Sequence, residues 1–277
     1  MKKRLTFFIF TLFFLNSIVC AMDTVAVKLV GNGVKYYELE TNEPLSIHLL
    51  EIDLTKNLSL ELAIANDGLG IGGECVSKMA KRKMNEGKII LSGVNGDFFG
   101  GDPQQAENSM IINGVFAKGT NIGRTMFAID NYNKPFIDSL PFTGYFKINE
   151  KQIKLSYLNI LPIIDESAII NNFFKDDIKL RENQTALLLA PISEIKPNML
   201  NSFKIVNVYT KELPKILLAD RYLVITPTYF LDLKNMKKDN VINIFLGTKP
   251  EIKDLHTLQT VLKLSFRFFC KITPKGE

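Results

Sequence analysis

The chain has 277 residues, 46% of them hydrophobic and 23% charged, with a net charge of +5, three Cys and no Trp. That apolar share can build a core without disulfide or metal staples, and the length fits one or two domains. No basic stripe accompanies the modest positive charge, which leaves no case for nucleic acid or an anionic membrane surface as partner.

Lys2, Lys3 and Arg4 open the chain and supply three of its five net positive charges. The apolar run LTFFIFTLFFLNSIV follows, and Val19 and Ala21 put small residues at the −3 and −1 positions before Met22. This is the pattern of a secretory signal peptide over residues 1–21, with a retained N-terminal anchor as the alternative. The chain is therefore expected to be secreted or periplasmic, with no membrane span once the leader is cleaved. Beyond the leader only Cys75 and Cys270 remain. They match no metal spacing and are expected not to pair. No CxxC, HExxH or P-loop occurs.

Residues 22–258 are expected to form one domain. VAVKLVGNGVKYYELE alternates apolar and polar residues around Gly31-Asn32-Gly33 and reads as a hairpin. LSIHLLEIDLT is a strand carrying Ile47 and Leu49 and, after a slip of phase, Ile52 and Leu54. LSLELAIAND repeats the period of two, with Leu58, Leu60, Leu62 and Ile64 on one face. CVSKMAKRKMNEG then changes period: Val76, Met79 and Ala80 fall at helical spacing, Gly87 stops the run, and the Lys and Arg residues read as a solvated face.

KIILSGV is the next strand. NSMIINGVFAKG reads as a hairpin turning on Asn113-Gly114, and RTMFAIDNYNKPFID as a second one turning at Asn131 to Lys134. Residues 140–235 are looser in composition, richer in Asn, Lys and Ile, and are expected as an insertion, although TALLLAPISE, FKIVNVYT, RYLVITPTYFLDL and NVINIFLGTK still read as strands. Residues 259–277 form a basic, apolar tail without turn chemistry. The fold class expected from these elements is α+β: β-rich mixed or antiparallel sheets with few short helices, incomplete at the C-terminus.

The stretch LSGVNGDFFGGDPQQ concentrates the chemistry. A buried strand ends in Asn95-Gly96-Asp97, two Phe follow, and Gly100-Gly101-Asp102-Pro103 breaks the backbone. Asp97 can serve as base, nucleophile or metal ligand, and Asn95 can orient a sugar hydroxyl or an acetamido group. Gly96 allows close backbone approach. Phe98 and Phe99 can wall a pocket. The same residues also fit an Asx turn with two buried aromatics. Glu51 and Asp53 stand two apart in a strand, which puts both carboxylates on one face, either for acid–base work or as a solvent-facing pair beside Lys56. Arg124, at the start of a strand, can hold a phosphate or form a surface ion pair. His48 and His256 sit in unlike contexts, which argues against a Ser/His/Asp triad.

In order, LSIHLLEIDLTKNLSLELAIANDGLG, ECVSKMAKR, VNGDFFGGDPQ, SMIINGVFAKG and RTMFAID resemble the phosphodiester glycosidase family, over residues 25 to 140 and again at DNVINIFLGTKPEIKDLHTL. The resemblance implies an exported hydrolase acting on a sugar joined through its anomeric carbon to a phosphodiester. It makes Asp97 and Glu51 the catalytic carboxylates, with Glu51 and Asn95 also positioning the sugar, Gly96, Phe98 and Phe99 lining the substrate pocket, and Arg124 on the phosphate. It implies no cofactor or metal ligand set, and leaves a divalent cation and the oligomeric state undecided. The family's later Arg-Thr-Ala strand and Gly-rich Asp-Gly-Gly-Gly-Ser segment do not occur; QTVLKLSFRFFCKITPKGE stands after LHTL instead. A truncated or frameshifted chain lacking one pocket wall is expected on that basis. The alternative is a non-catalytic glycan-binding protein of the cell envelope.

Overall fold

The computed structural model describes residues 22–41, 46–96, 99–100, 105–148, 150–214, 218–252, 255–260 and 268–272. The chain divides into two compact units, one ending at Lys56 and one running from Asn57 to Glu277.

The first unit is an antiparallel meander of β1 (Met22–Gly31), β2 (Val34–Thr41) and β3 (Ser46–Ile52). Gly33 turns the first hairpin at φ 84°, a backbone conformation that needs no Cβ. Register places Val27, Tyr37 and Leu49 in one cross-strand row and Leu29, Lys35 and Glu51 in the next.

The second unit runs through β4 (Leu58–Leu62), α1 (Val76–Asn85), β5 (Ile90–Gly93), β6 (Phe99–Gly100), β7 (Gln105–Ala106), β8 (Met110–Ile112), β9 (Val115–Lys118), β10 (Thr125–Asp130) and β11 (Pro135–Ser139). It continues with β12 (Phe142–Ile148), β13 (Lys151–Leu155), β14 (Tyr157–Leu158), β15 (Ala168–Ile170), β16 (Gln184–Pro191), β17 (Met199–Tyr209), β18 (Tyr222–Pro227), β19 (Val241–Thr248), β20 (Leu255–Thr260) and β21 (Phe268–Ile272). The α+β expectation is corrected here. Among the described residues α1 is the one α-helix, ten residues long with Met79 as its one buried side chain, so helices form no layer and the fold is mostly β.

The main body is an eight-stranded sheet in the order β13-β12-β19-β17-β16-β18-β15-β14. Its two edge strands are consecutive in the chain, separated by Ser156 alone, so one run of backbone passes from one edge to the other and the sheet nearly closes into a barrel. Residues 140–235 supply most of this sheet.

The continuous apolar runs in β16 and β18 arise because both faces of these strands are covered. Leu187, Leu189, Tyr222 and Val224 join Phe146, Phe203 and Ile205 in the larger core, while Ala186, Leu188, Leu223 and Ile225 face a second cluster covered by Phe174, Ile178, Leu180 and Leu213.

A five-stranded antiparallel sheet, β11-β10-β20-β8-β9, packs Ile111, Met126, Ala128 and Leu255 into the same larger core. A smaller sheet, β4-β21-β5, carries α1 through Met79, Ala63 and Ile90. Residues of the C-terminal tail thus supply the central strand of this small sheet, antiparallel to both neighbours.

Of the basic residues of α1, expected as a solvated face, Lys78 and Lys81 are exposed, while Arg82 and Lys83 tie the helix to the loop before it. Arg82 donates from Nε and Nη2 to both oxygens of Glu74 at 3.2 and 2.8 Å, pairs with Asp67, and reaches the Ile64 carbonyl at 3.3 Å. Lys83 pairs with Asp67 at 2.8 Å and Glu86 at 3.0 Å. Glu74 also accepts from the Asn66 N–H at 2.9 Å. The Arg82 hydrogen bonds hold the Glu74 carboxyl below the ordinary glutamate value of 4.5. A carboxyl depressed on folding stabilises the folded state above its unfolded value and loses that contribution as pH falls through the folded one. Arg82→Met is expected to cost about 1–2 kcal/mol at neutral pH. Urea titrations of both proteins should converge as pH drops below 4.5, and a pH-independent gap would contradict this role of the pair.

Candidate functional site

β5 delivers the motif. Ser92 and Gly93 still pair with β21, and the chain then leaves the sheet through Val94, Asn95 and Gly96. Asn95 is exposed and Gly96 is buried, so the amide is presented outward while the backbone beside it is enclosed. Lys88 holds the start of this segment to β4 through Glu61 at 2.6 Å. Asp97, Phe98 and the Phe99 side chain lie outside the described residues; the Phe99 backbone opens β6, paired with Ala106 of β7.

The β6–β7 hairpin is anchored by Lys118, whose ammonium donates to the Ala106 carbonyl. Lys118 is 5% exposed, the one charged residue in the buried class among those described. A buried cation is costly unless it is hydrogen-bonded, so its place beside the hairpin that follows the motif is a specific device. Sequence reading missed it because FAKG looks like the ordinary polar end of a hairpin strand. Period gave no signal either, since Phe116, Ala117 and Lys118 are buried in succession. Beside it, Ser109 Oγ accepts the Thr120 N–H at 2.9 Å and donates to the Thr120 carbonyl at 3.0 Å. Gly119 lies against Phe142, where a Cβ would come within 2.6 Å of the ring and would have to displace it.

Arg124 precedes β10, at the same end of the five-stranded sheet's strands as Lys118. Its side chain is half-buried and has no ion-pair partner among the described residues. No hydrogen bond among the described residues joins Asn95 to Arg124.

Glu51 belongs to the first unit, on β3. Its carboxylate accepts from the Tyr37 hydroxyl at 2.6 Å and faces Lys35 at 3.6 Å. The Tyr37 hydrogen bond, then the Lys35 charge, lower its pKa, so it is an ionised acceptor at neutral pH. β3 ends at Ile52, and Asp53 follows it with its N–H on the Gly33 carbonyl at 2.8 Å. Its carboxylate caps the following turn, accepting from Thr55 N–H at 3.0 Å and Thr55 Oγ1 at 2.6 Å. His48 is committed to Tyr36, with Nδ1 2.5 Å from the hydroxyl and the two rings stacked. Cys75 is a free thiol, its pKa lowered by the Ser77 hydroxyl. Among the described residues no cluster of His, Cys, Asp and Glu forms a metal site, and no helix is long and apolar enough to cross a membrane.

No family model matches the chain, and no curated protein matches it. Solved structures resemble it in fold. A hypothetical protein from Synechocystis superposes with a TM-score of 0.65 at 14% identity, over 87% of this chain and 45% of that one. A protein of Burkholderia pseudomallei K96243, provisionally named as exported, superposes with a TM-score of 0.55 at 15% identity, over 83% of this chain and 50% of that one. The chain therefore spans about half the length of the solved structures it matches, and at these identities the likeness is one of fold alone.

Proposed function

We propose that this chain is the phosphodiester-glycosidase-like part of an exported hydrolase that cleaves sugar-1-phosphodiesters at the anomeric carbon. The observation that carries the reading is the strand-end presentation of the motif. β5 stops at Gly93, and the next residues turn an exposed carboxamide and an enclosed glycine out of the sheet immediately before Asp97. The ordered resemblance over residues 25 to 140 and the signal-like leader support it, as does the provisional naming of one fold neighbour as exported.

In this reading water adds its oxygen to the anomeric carbon, the bond from that carbon to the phosphate oxygen breaks, and the phosphomonoester leaves with the electron pair. The leaving group is already a weak base, so little protonation is required. Catalysis rests on the Asp97 carboxylate, which stabilises the developing oxocarbenium charge and accepts the proton of water. Asn95 holds a ring substituent and Arg124 the phosphate.

Incubation with methyl phosphodiesters of hexose and N-acetylhexosamine 1-phosphates is expected to release free sugar and methyl phosphate. Asp97→Asn should lower turnover by about 100-fold or more. Unchanged turnover in that variant, or no sugar released from any of these diesters, would remove the proposal. Affinity without turnover would favour a glycan-binding module.

A further inference from the structure

A second polar site lies at the opposite end of the five-stranded sheet's strands from Lys118. Antiparallel register puts Lys118 and the start of β10 at one end, and the β8–β9 and β10–β11 turns at the other. Beside those turns opens a cavity of about 760 Å³, within the range of small-molecule sites.

Its lining includes hydrogen-bonding side chains from separate segments, among them Asn113 from the β8–β9 turn, Asn131 from the β10–β11 turn, Asn172 after β15, and Arg221 before β18. The three carboxamides make no hydrogen bond to other described residues, and the Arg221 guanidinium has only a 3.5 Å approach from its neighbour Asp220. Asn198 shows the contrast. It lines the same cavity, but both ends of its amide are spent on the scaffold, donating to the Ile252 carbonyl at 2.8 Å and accepting from the Thr248 N–H at 2.7 Å.

The chemistry of the lining selects the ligand. Each free carboxamide offers donors and an acceptor together, matching hydroxyl groups, which also do both. Val115, Ile195 and Leu255 give the wall an apolar face of the kind that packs on the C–H side of a sugar ring. Arg221 and Lys196 are offset by Asp220 and Glu194, at 3.5 and 3.8 Å, so no surplus positive charge awaits a phosphate or carboxylate. We propose that this cavity binds a neutral oligosaccharide. The assignment stands apart from the reading of Asp97.

Calorimetric titration of the chain purified from an exporting host tests it, with maltotetraose, cellotetraose and chitotetraose as neutral probes and tetragalacturonate as the acidic one. At least one neutral probe should bind. Arg221→Leu and Asn131→Leu should each weaken that binding at least about tenfold, or 1.4 kcal/mol, and Asp97→Asn should leave it unchanged. Asn131 sits in an exposed turn, so its replacement tests the site even where Arg221→Leu fails to fold. The proposal is overturned if no neutral probe binds at about 10 mM, if tetragalacturonate binds more tightly than all of them, or if Asn131→Leu binds as well as the parent chain.

Discussion

Replacing Phe203 with Ala is expected to destabilise the second unit by about 3–5 kcal/mol. Phe203 is fully buried in the interior cluster of the eight-stranded sheet, on β17 between Pro191 of β16 and Ile242 of β19. Its ring meets Tyr222 edge-on, with centroids 5.2 Å apart and planes at 71°. Truncation therefore removes the transfer free energy of the ring, leaves a cavity that a nearly closed sheet cannot collapse, and deletes an aromatic pair. Tyr222 reports the dryness of this region, since burial pushes its hydroxyl pKa up to about 12. Phe203→Leu keeps most of the volume and should cost less than about 1.5 kcal/mol. Urea unfolding monitored by far-UV circular dichroism separates the two. An Ala variant within about 1 kcal/mol of the parent would mean that the barrel interior is loosely packed at this layer.

Asn171→Ala is expected to cost about 2–4 kcal/mol, because it strands several buried groups at once. Asn171 donates to the Phe116 carbonyl at 2.8 Å and accepts from the Phe173 N–H at 3.1 Å and from Asn159 Nδ2 at 2.5 Å. Asn159 returns the contact, accepting the Asn171 N–H at 2.8 Å and donating to the Ala117 carbonyl at 2.8 Å. The two amides clip β9 of the five-stranded sheet onto β14 and β15 of the eight-stranded one. Asn159 has φ 56°, so Asn159→Gly removes its side chain without backbone strain. In a double-mutant cycle with Asn171→Ala the losses should be non-additive by more than about 0.5 kcal/mol. Simple additivity would show that the amides act independently and that the clip is not a unit.

The local elements of the fold were legible in the residues. Asn113-Gly114 takes φ 49° and 77°, the double positive φ that an Asn-Gly hairpin demands, and Asn131 to Lys134 separates β10 from β11 as the turn residues require. The helical spacing of Val76, Met79 and Ala80 marks α1, and Gly87 at φ 86° follows its end. Such features depend on a few adjacent residues and their backbone preferences.

The class of the fold was not legible in the same way. A single helical period in a β-rich chain suggested a mixed class, yet one ten-residue helix cannot make a layer. Nor could the loose composition of residues 140–235 disclose that they carry the principal sheet. Their Asn residues look like turn signals, and the structure buries Asn159, Asn171 and Asn201 as partners for backbone groups.

The sequence by itself determined the first hairpin, the Asn113-Gly114 and Asn131–Lys134 turns and the helix, and that Asn95 to Asp97 follows an apolar strand with polar chemistry. Tertiary structure alone decided the rest. It brought the two edges of the eight-stranded sheet together across Ser156, buried Lys118 beside the hairpin that follows the motif, and turned Arg82 and Lys83 of α1 into a clamp on Glu74 and Asp67. It also gathered three unengaged carboxamides and Arg221 around one cavity. Period and turn chemistry are local, whereas burial and hydrogen-bond partnership between distant segments, such as Leu58 with Asn133 or β4 with β21, depend on which surfaces the completed sheets press together.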